Sequence, residues 1–201
     1  AVSWMDAFRR KSVTAEEAVR HIRSGQRVFV TGNCSVPEKL LDALVERAPD
    51  LNDVELVQVL TFGRAPQVAP ELAGHLRVNT LFISDNVRKA VNEGRADFTP
   101  CFLSEIPLLF RHGHLPLDIA LVHVSPPDEH GFCSFGVEVG VTKTAAQSAK
   151  IVIAQVNPNM PRTLGDAFIH VSKIDYVVAV DAPLPEIHMA DSSELAQRIA
   201  R

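Results

Sequence analysis

The chain has 201 residues, 46% of them apolar and 22% charged, the balance of a soluble globular protein rather than a disordered or fibrous one. At about 150 residues per domain this length argues for one large domain and against two. Twenty Lys and Arg against 24 Asp and Glu give a formal charge of −4, with the basic residues scattered and Arg9, Arg10 and Lys11 the longest adjacent run, so no nucleic-acid partner is expected.

The N-terminus carries no basic stretch followed by an apolar one, and no uncharged apolar run approaches the ~18 residues of a membrane span. The expectation is a cytoplasmic protein with no membrane partner. Thr14-Ala15-Glu16-Glu17 is a capping box ahead of Ala18, Val19 and Ile22, which predicts a helix over 14–24 stopped by Gly25. Arg27 to Thr31 reads as a strand, and Gly32-Asn33-Cys34 turns the chain. Ser35 then caps the next helix, with Glu38 as capping-box partner, Pro37 in the first turn and an apolar stripe of Leu40, Leu41, Leu44, Val45 and Ala48. Strands follow at 54–60 and 78–83, a helix at 86–93 ending at Gly94, a strand at 98–103 and a short helix capped by Ser104. The runs 117–124, 150–156 and 176–180 are Val-, Ile-, Leu- and Ala-rich without clear alternation, as in strands covered on both faces. Strands alternating with helices imply βαβ crossovers and an open, mostly parallel α/β sheet with helices on both faces. After Asp181 the pattern lapses into Pro183-Leu184-Pro185-Glu186, and residues 192–201 form a polar, weakly amphipathic helix.

Three loops at strand ends carry the candidate chemistry. The turn Thr31 to Pro37 lies between strand and helix, where backbone N–H groups can receive an anion, though such a turn also serves purely structural ends. It is neither a dinucleotide fingerprint nor a phosphate loop. Cys34 at a helix N-terminus would have a lowered thiol pKa, so either a nucleophile or a small buried residue fits. Cys34, Cys101 and Cys133 are an odd number, and reduced thiols are expected. Ser125 to Gly136 follows the most apolar strand, but Asp128, Glu129, His130 and Cys133 match no standard metal spacing, nor does His112-Gly113-His114, so no metal is expected. Gln155 to Asp166 follows another buried strand, and Arg162 there suits either an acid or a structural ion pair. No Ser/His/Asp order and no HExxH is present.

At these loops the sequence resembles the acetyl-CoA hydrolase/transferase family of class I CoA-transferases, which includes acetate, succinate and 4-hydroxybutyrate CoA-transferases. The resemblance rests on Ala90 to Asp97, on Asp118 to Leu121 running into Val124 to Asp128, and on Gly131 to Gly136. It continues through Ala149 to Asn157, Met160 to Asp166 and Pro183 to Glu186, covering residues from about 14 to 187. It implies a three-layer α/β/α CoA-transferase-like fold and acyl-CoA and a small carboxylate as substrates, with no bound cofactor. It implies a glutamate nucleophile that passes through an enzyme anhydride to a glutamyl-CoA thioester. That glutamate belongs to the family's second half, and none of Glu93, Glu129 or Glu138 sits in its motif, so no catalytic residue is assigned in this chain. Residues 1–187 read as the N-terminal domain. Residues 188–201 read as a connector toward a second domain, in cis or in trans, without which the chain is expected to be inactive; a homo-oligomer is also expected. By position, Gly32, Asn33, Cys34 and Pro37 would face the substrate cleft, and Arg162 with Asn157 and Thr163 would serve the carboxylate co-substrate. Cys34 and Asn33 stand where smaller residues are usual, and Phe135 where leucine is common. The alternative is a freestanding binding or regulatory domain on the same scaffold, without covalent chemistry.

Overall fold

The computed structural model describes residues 3–188 and 192–200. Helix α1 (Trp4–Lys11), which no periodic pattern announces, is capped by Ser3, whose Oγ accepts from the Asp6 N–H. Its Trp4 indole donates to the Glu129 carbonyl at 3.0 Å. The predicted capping box is present on α2 (Ala15–Val19), where Thr14 and Glu17 exchange hydrogen bonds. Strand β1 (Arg27–Val30) leads through the Gly32–Cys34 turn to α3 (Glu38–Arg47). Then come β2 (Val54–Gln58), β3 (Leu76–Thr80), α4 (Asp85–Asn92), and β4 (Asp97–Phe98). Helix α5 (Ile106–Arg111), β5 (Ile119–Val124), β6 (Phe132–Ser134), α6 (Thr142–Ser148), β7 (Ile151–Val156), β8 (Phe168–His170) and β9 (Tyr176–Ala179) complete the body. Within the expected connector, α7 (Glu194–Ile199) buries none of its residues; positions 189–191 and 201 of that connector lie outside the described residues.

Seven strands form one sheet in the order β4-β3-β2-β1-β5-β7-β9, and every pairing in it is parallel. Alternate side chains along each strand enter different cores, which is why these strands read as unbroken apolar runs. Val28, Val30, Ile119, Leu121 and Ile153 pack with Leu40, Leu41 and Leu44 of α3 and Ala18 of α2. Phe29, Ala120, Val122, Val152 and Ala154 pack on the other side with Phe110 of α5 and Ala145 of α6. The result is the three-layer α/β/α arrangement. The chain winds outward from β1 to β4, then restarts at β5 on the other side of β1, so the topological switch lies between β1 and β5.

Four local expectations are corrected. Ser35 does not cap α3: the helix starts at Glu38 with Pro37 as its N-cap and no local side-chain cap. Strand β4 has two residues instead of the expected six and closes the sheet as a short edge. Ser104 lies inside a turn of 3-10 helix over Leu103–Glu105 and does not cap α5. The segment around Gly131 to Gly136, read as loop, contributes β6, which pairs antiparallel with β8.

Candidate functional site

At the carboxyl ends of β1, β7 and β9 an open cleft of about 710 Å3 is lined by Asn33, Cys34, Phe62, Val137, Asn159 and the segment Pro183 to Ile187. One wall is the turn after β1. Gly32 is required there because a Cβ would stand 2.2 Å from the Leu60 carbonyl oxygen. Asn33 follows with φ 51°, a left-handed conformation that Asn tolerates better than most residues. Its N–H donates to that same Leu60 oxygen at 2.6 Å, and its side-chain amide donates to Glu138. Beneath the turn, Gly32, Asn33 and Glu138 also border a smaller cavity of about 280 Å3 beside Phe29 and Val141. Pro37 is buried behind the turn as the N-cap of α3.

The helix-dipole expectation for Cys34 is reversed. Helix α3 begins four residues further on, and burial, followed by the neighbouring Glu186 carboxylate, pushes the Cys34 thiol above its ordinary pKa. It is a weakly polar lining group, not an activated nucleophile.

The opposite wall, Pro183 to Ile187, has no ladder of its own and hangs on Asn157 at the end of β7. The Asn157 Nδ2 donates to the Ala182 carbonyl at 2.8 Å, and its Oδ1 accepts from the Asn159 N–H at 3.0 Å. Asn157 is fully buried, so it braces this wall from below and does not open into the cleft.

Arg162 and Thr163 stand apart from the lining. The Arg162 guanidinium donates to the Asp128 carboxylate at 2.6 Å and to the Phe132 carbonyl at 3.0 Å, and lies 4.7 Å over the Phe168 ring. Of the two roles open to it, the geometry is that of an ion pair clamping the antiparallel β6–β8 pair. The N–H groups of Phe132 and His130, together with Arg162, hold the Asp128 carboxyl below its usual range. The Thr163 hydroxyl donates to the Gly136 carbonyl, and its N–H donates to Ser134 Oγ. With Ser134 N–H donating to Ser125 Oγ, the Ser125 to Gly136 loop is knitted to the segment after β7. Val137, the residue that follows this loop, joins the cleft lining.

Below both walls sits a group that the sequence patterns do not single out. His123 on β5 is almost fully buried, and burial pulls its pKa down to about 4 against the opposing contacts to the Ser35 and Val36 carbonyls. The available signal is a lone polar residue inside the apolar run Ile119 to Val124. Gln155 on β7 is visible in the sequence but its partner is not: its Oε1 accepts from the Leu40 N–H in the first turn of α3 at 3.4 Å, a cap supplied from 115 residues away.

The comparisons with known proteins agree with this architecture. Residues 3–187 match the acetyl-CoA hydrolase/transferase N-terminal domain. The chain belongs to that family. It is 47% identical over 186 residues to a 4-hydroxybutyrate coenzyme A transferase of Clostridium kluyveri, covering 92% of this chain and 43% of that protein. It is 41% identical over 196 residues to a succinyl-CoA:acetate/propanoyl-CoA:succinate CoA transferase of Fasciola hepatica, covering 96% and 41%. Among solved structures, the 4-hydroxybutyrate CoA-transferase of Porphyromonas gingivalis superposes with a TM-score of 0.79 at 34% identity, over 92% of this chain and 43% of that one. RipA of Yersinia pestis superposes at 0.89 and 27% identity, over 96% and 47%. This CoA-transferase-family domain therefore spans less than half the length of the relatives it matches.

Proposed function

We propose that the chain forms one wall of the active-site cleft of an acyl-CoA:carboxylate CoA-transferase or acetyl-CoA hydrolase, acting together with a second, glutamate-bearing domain. The observation that carries this reading is the cleft itself. In a chain of this family it opens at the carboxyl ends of the strands beside the topological switch, where open α/β sheets bind ligands. Its lining is mostly apolar, through Phe62, Val137, Leu184 and Ile187, with the Asn33 turn and Cys34 at one side. That surface suits the acyl portion of a thioester, with Asn33 and Cys34 contacting it and Gly32, Pro37, Asn157 and Thr163 shaping the walls. Among the described residues the lining contains one carboxylate, Glu186, and neither Lys nor Arg, so these residues offer a carboxylate co-substrate no cation. The charge-stabilising donors and the glutamate that forms the glutamyl-CoA thioester are then the business of the second domain.

The test is transfer of CoA from acetyl-CoA or succinyl-CoA to a small carboxylate, assayed with this chain alone and with the segment corresponding to the second half of its relatives. Activity only in the mixture, with a borohydride-sensitive thioester trapped on the second segment, is the expected result. No activity in either sample, with the two segments folded and docked, overturns the reading in favour of a non-catalytic binding domain.

A further inference from the structure

The two walls of the cleft come from segments about 150 residues apart, and neither belongs to a helix or strand. What joins them is a short path of hydrogen bonds through the layer below. The Ser35 carbonyl, at the end of the Asn33–Cys34 turn, lies 3.2 Å from His123 Nδ1. On the far side of the ring, His123 Nε2 lies 3.2 Å from Asn157 Nδ2 and 3.4 Å from Gln155 Nε2. The same Asn157 amide group then donates to the Ala182 carbonyl at 2.8 Å, at the start of the Pro183 to Ile187 wall.

The chemistry of the partners fixes the state of the ring. A carbonyl only accepts, so Nδ1 carries the hydrogen; two amide groups only donate from their nitrogens, so Nε2 is bare and accepts. The Asn157 amide cannot be turned over without placing its oxygen against the Ala182 carbonyl and its nitrogen against the Asn159 N–H. An imidazolium would set a donor against donors. Every member of the path except the Ala182 end is buried, where each bond is hard to replace with water.

We propose that His123 is a positioning residue that sets the separation of the two cleft walls, holding the Cys34 turn on one side and, through Asn157, the Pro183 to Ile187 wall on the other. The inference rests on the cleft being the substrate site only for its consequence in catalysis; the linkage itself is a property of this chain. Cys34 is a built-in reporter, because it lines the cleft while Cys133 is fully buried.

The experiment uses the chain with Cys101→Ser, and follows modification of Cys34 by N-ethylmaleimide with and without His123→Leu. Release of the wall is expected to raise the labelling rate roughly threefold or more by local opening. His123→Asn and His123→Gln, which retain hydrogen-bonding groups toward one side or the other, fall between. An unchanged rate in a folded His123→Leu variant overturns the proposal. Should that variant fail to fold, NMR of the imidazole nitrogens in the unmodified chain decides: hydrogen on Nδ1 at neutral pH supports the linkage, and hydrogen on Nε2 refutes it. In the two-segment enzyme the variant is expected to raise the KM for the acyl-CoA about fivefold with kcat little changed, as for lost uniform binding. A merely structural role would lower the melting temperature without that split. An inactive wild-type mixture counts against the functional reading alone, since labelling and NMR still judge His123.

Discussion

Ser35 and Gly32 occupy the same turn, yet removing one side chain and adding to the other should act in opposite directions. Ser35 Oγ is buried with no hydrogen-bond partner among the described residues. Sequence alone reads Ser35 as an N-cap whose loss to Ala would cost about 1 kcal/mol. In the folded chain Ser35→Ala relieves a stranded hydroxyl, and chemical denaturation is expected to show unchanged or higher stability. Gly32→Ala drives a Cβ to 2.2 Å from the Leu60 carbonyl, a backbone atom that cannot rotate away, and a loss of about 3 kcal/mol is expected in the same measurement. Arg162→Ala separates two roles for one residue. The clamp on Asp128 and the Phe132 carbonyl predicts a fall of a few degrees in melting temperature with the carboxylate KM of the two-segment enzyme unchanged; a large rise in KM would return Arg162 to the substrate.

Between elements, hydrogen bonds from distant strands replace what the local sequence withholds. Helix α3 has no cap of its own, and its Leu40 N–H is met by Gln155 of β7. The His123 path similarly ties β5 and β7 to the turn after β1. This path gives the fold a pH signature. The folded-state pKa of His123, about 4, lies below the ordinary value near 6.5, so the unfolded chain takes up a proton that the native chain refuses. The contribution is whole above pH ~6.5 and drains away as pH falls through about 4, a loss of roughly 3 kcal/mol at about 1.4 kcal/mol per pH unit. Denaturation midpoints measured across this window should fall with acidity in the native chain. In His123→Gln the slope between these two values should be nearly flat. The carboxylates held low by arginine or backbone donors, such as Asp97 and Asp128, lose their contribution only at more acidic pH.

At the scale of the molecule, strand order decides where chemistry can occur. Because β1 sits mid-sheet with β2 on one side and β5 on the other, the turn after β1 opens at the switch point and meets the segments that follow β7 and β9. Among the described residues the lining of this cleft is mostly apolar, with Glu186 its one acidic group. Mixing the two segments therefore has a second reading at this scale: any strongly cationic contribution to carboxylate binding should map to the second segment, and removing basic residues there should raise KM where Arg162→Ala does not.

Elements with a strong local period are legible in the amino-acid order itself. The capping box at Thr14, the stripe Leu40 to Ala48, the helix ending before Gly94 and the buried runs of β5, β7 and β9 all follow from contacts within a turn or between successive residues on a strand, which short sequence windows contain. The loop motifs likewise carry the family. The antiparallel pair of β6 and β8 is not legible, because its three-residue strands, 132–134 and 168–170, lie far apart in the chain and gain their pairing only from each other. Nor are the partners of the polar residues. Asp128 takes Arg162 across 34 positions, Ser35 takes His123 across 88 and Leu40 takes Gln155 across 115. Residue type specifies that a buried donor or acceptor must be satisfied; which group satisfies it depends on the strand order that brings the two together, and that is decided only when the chain packs.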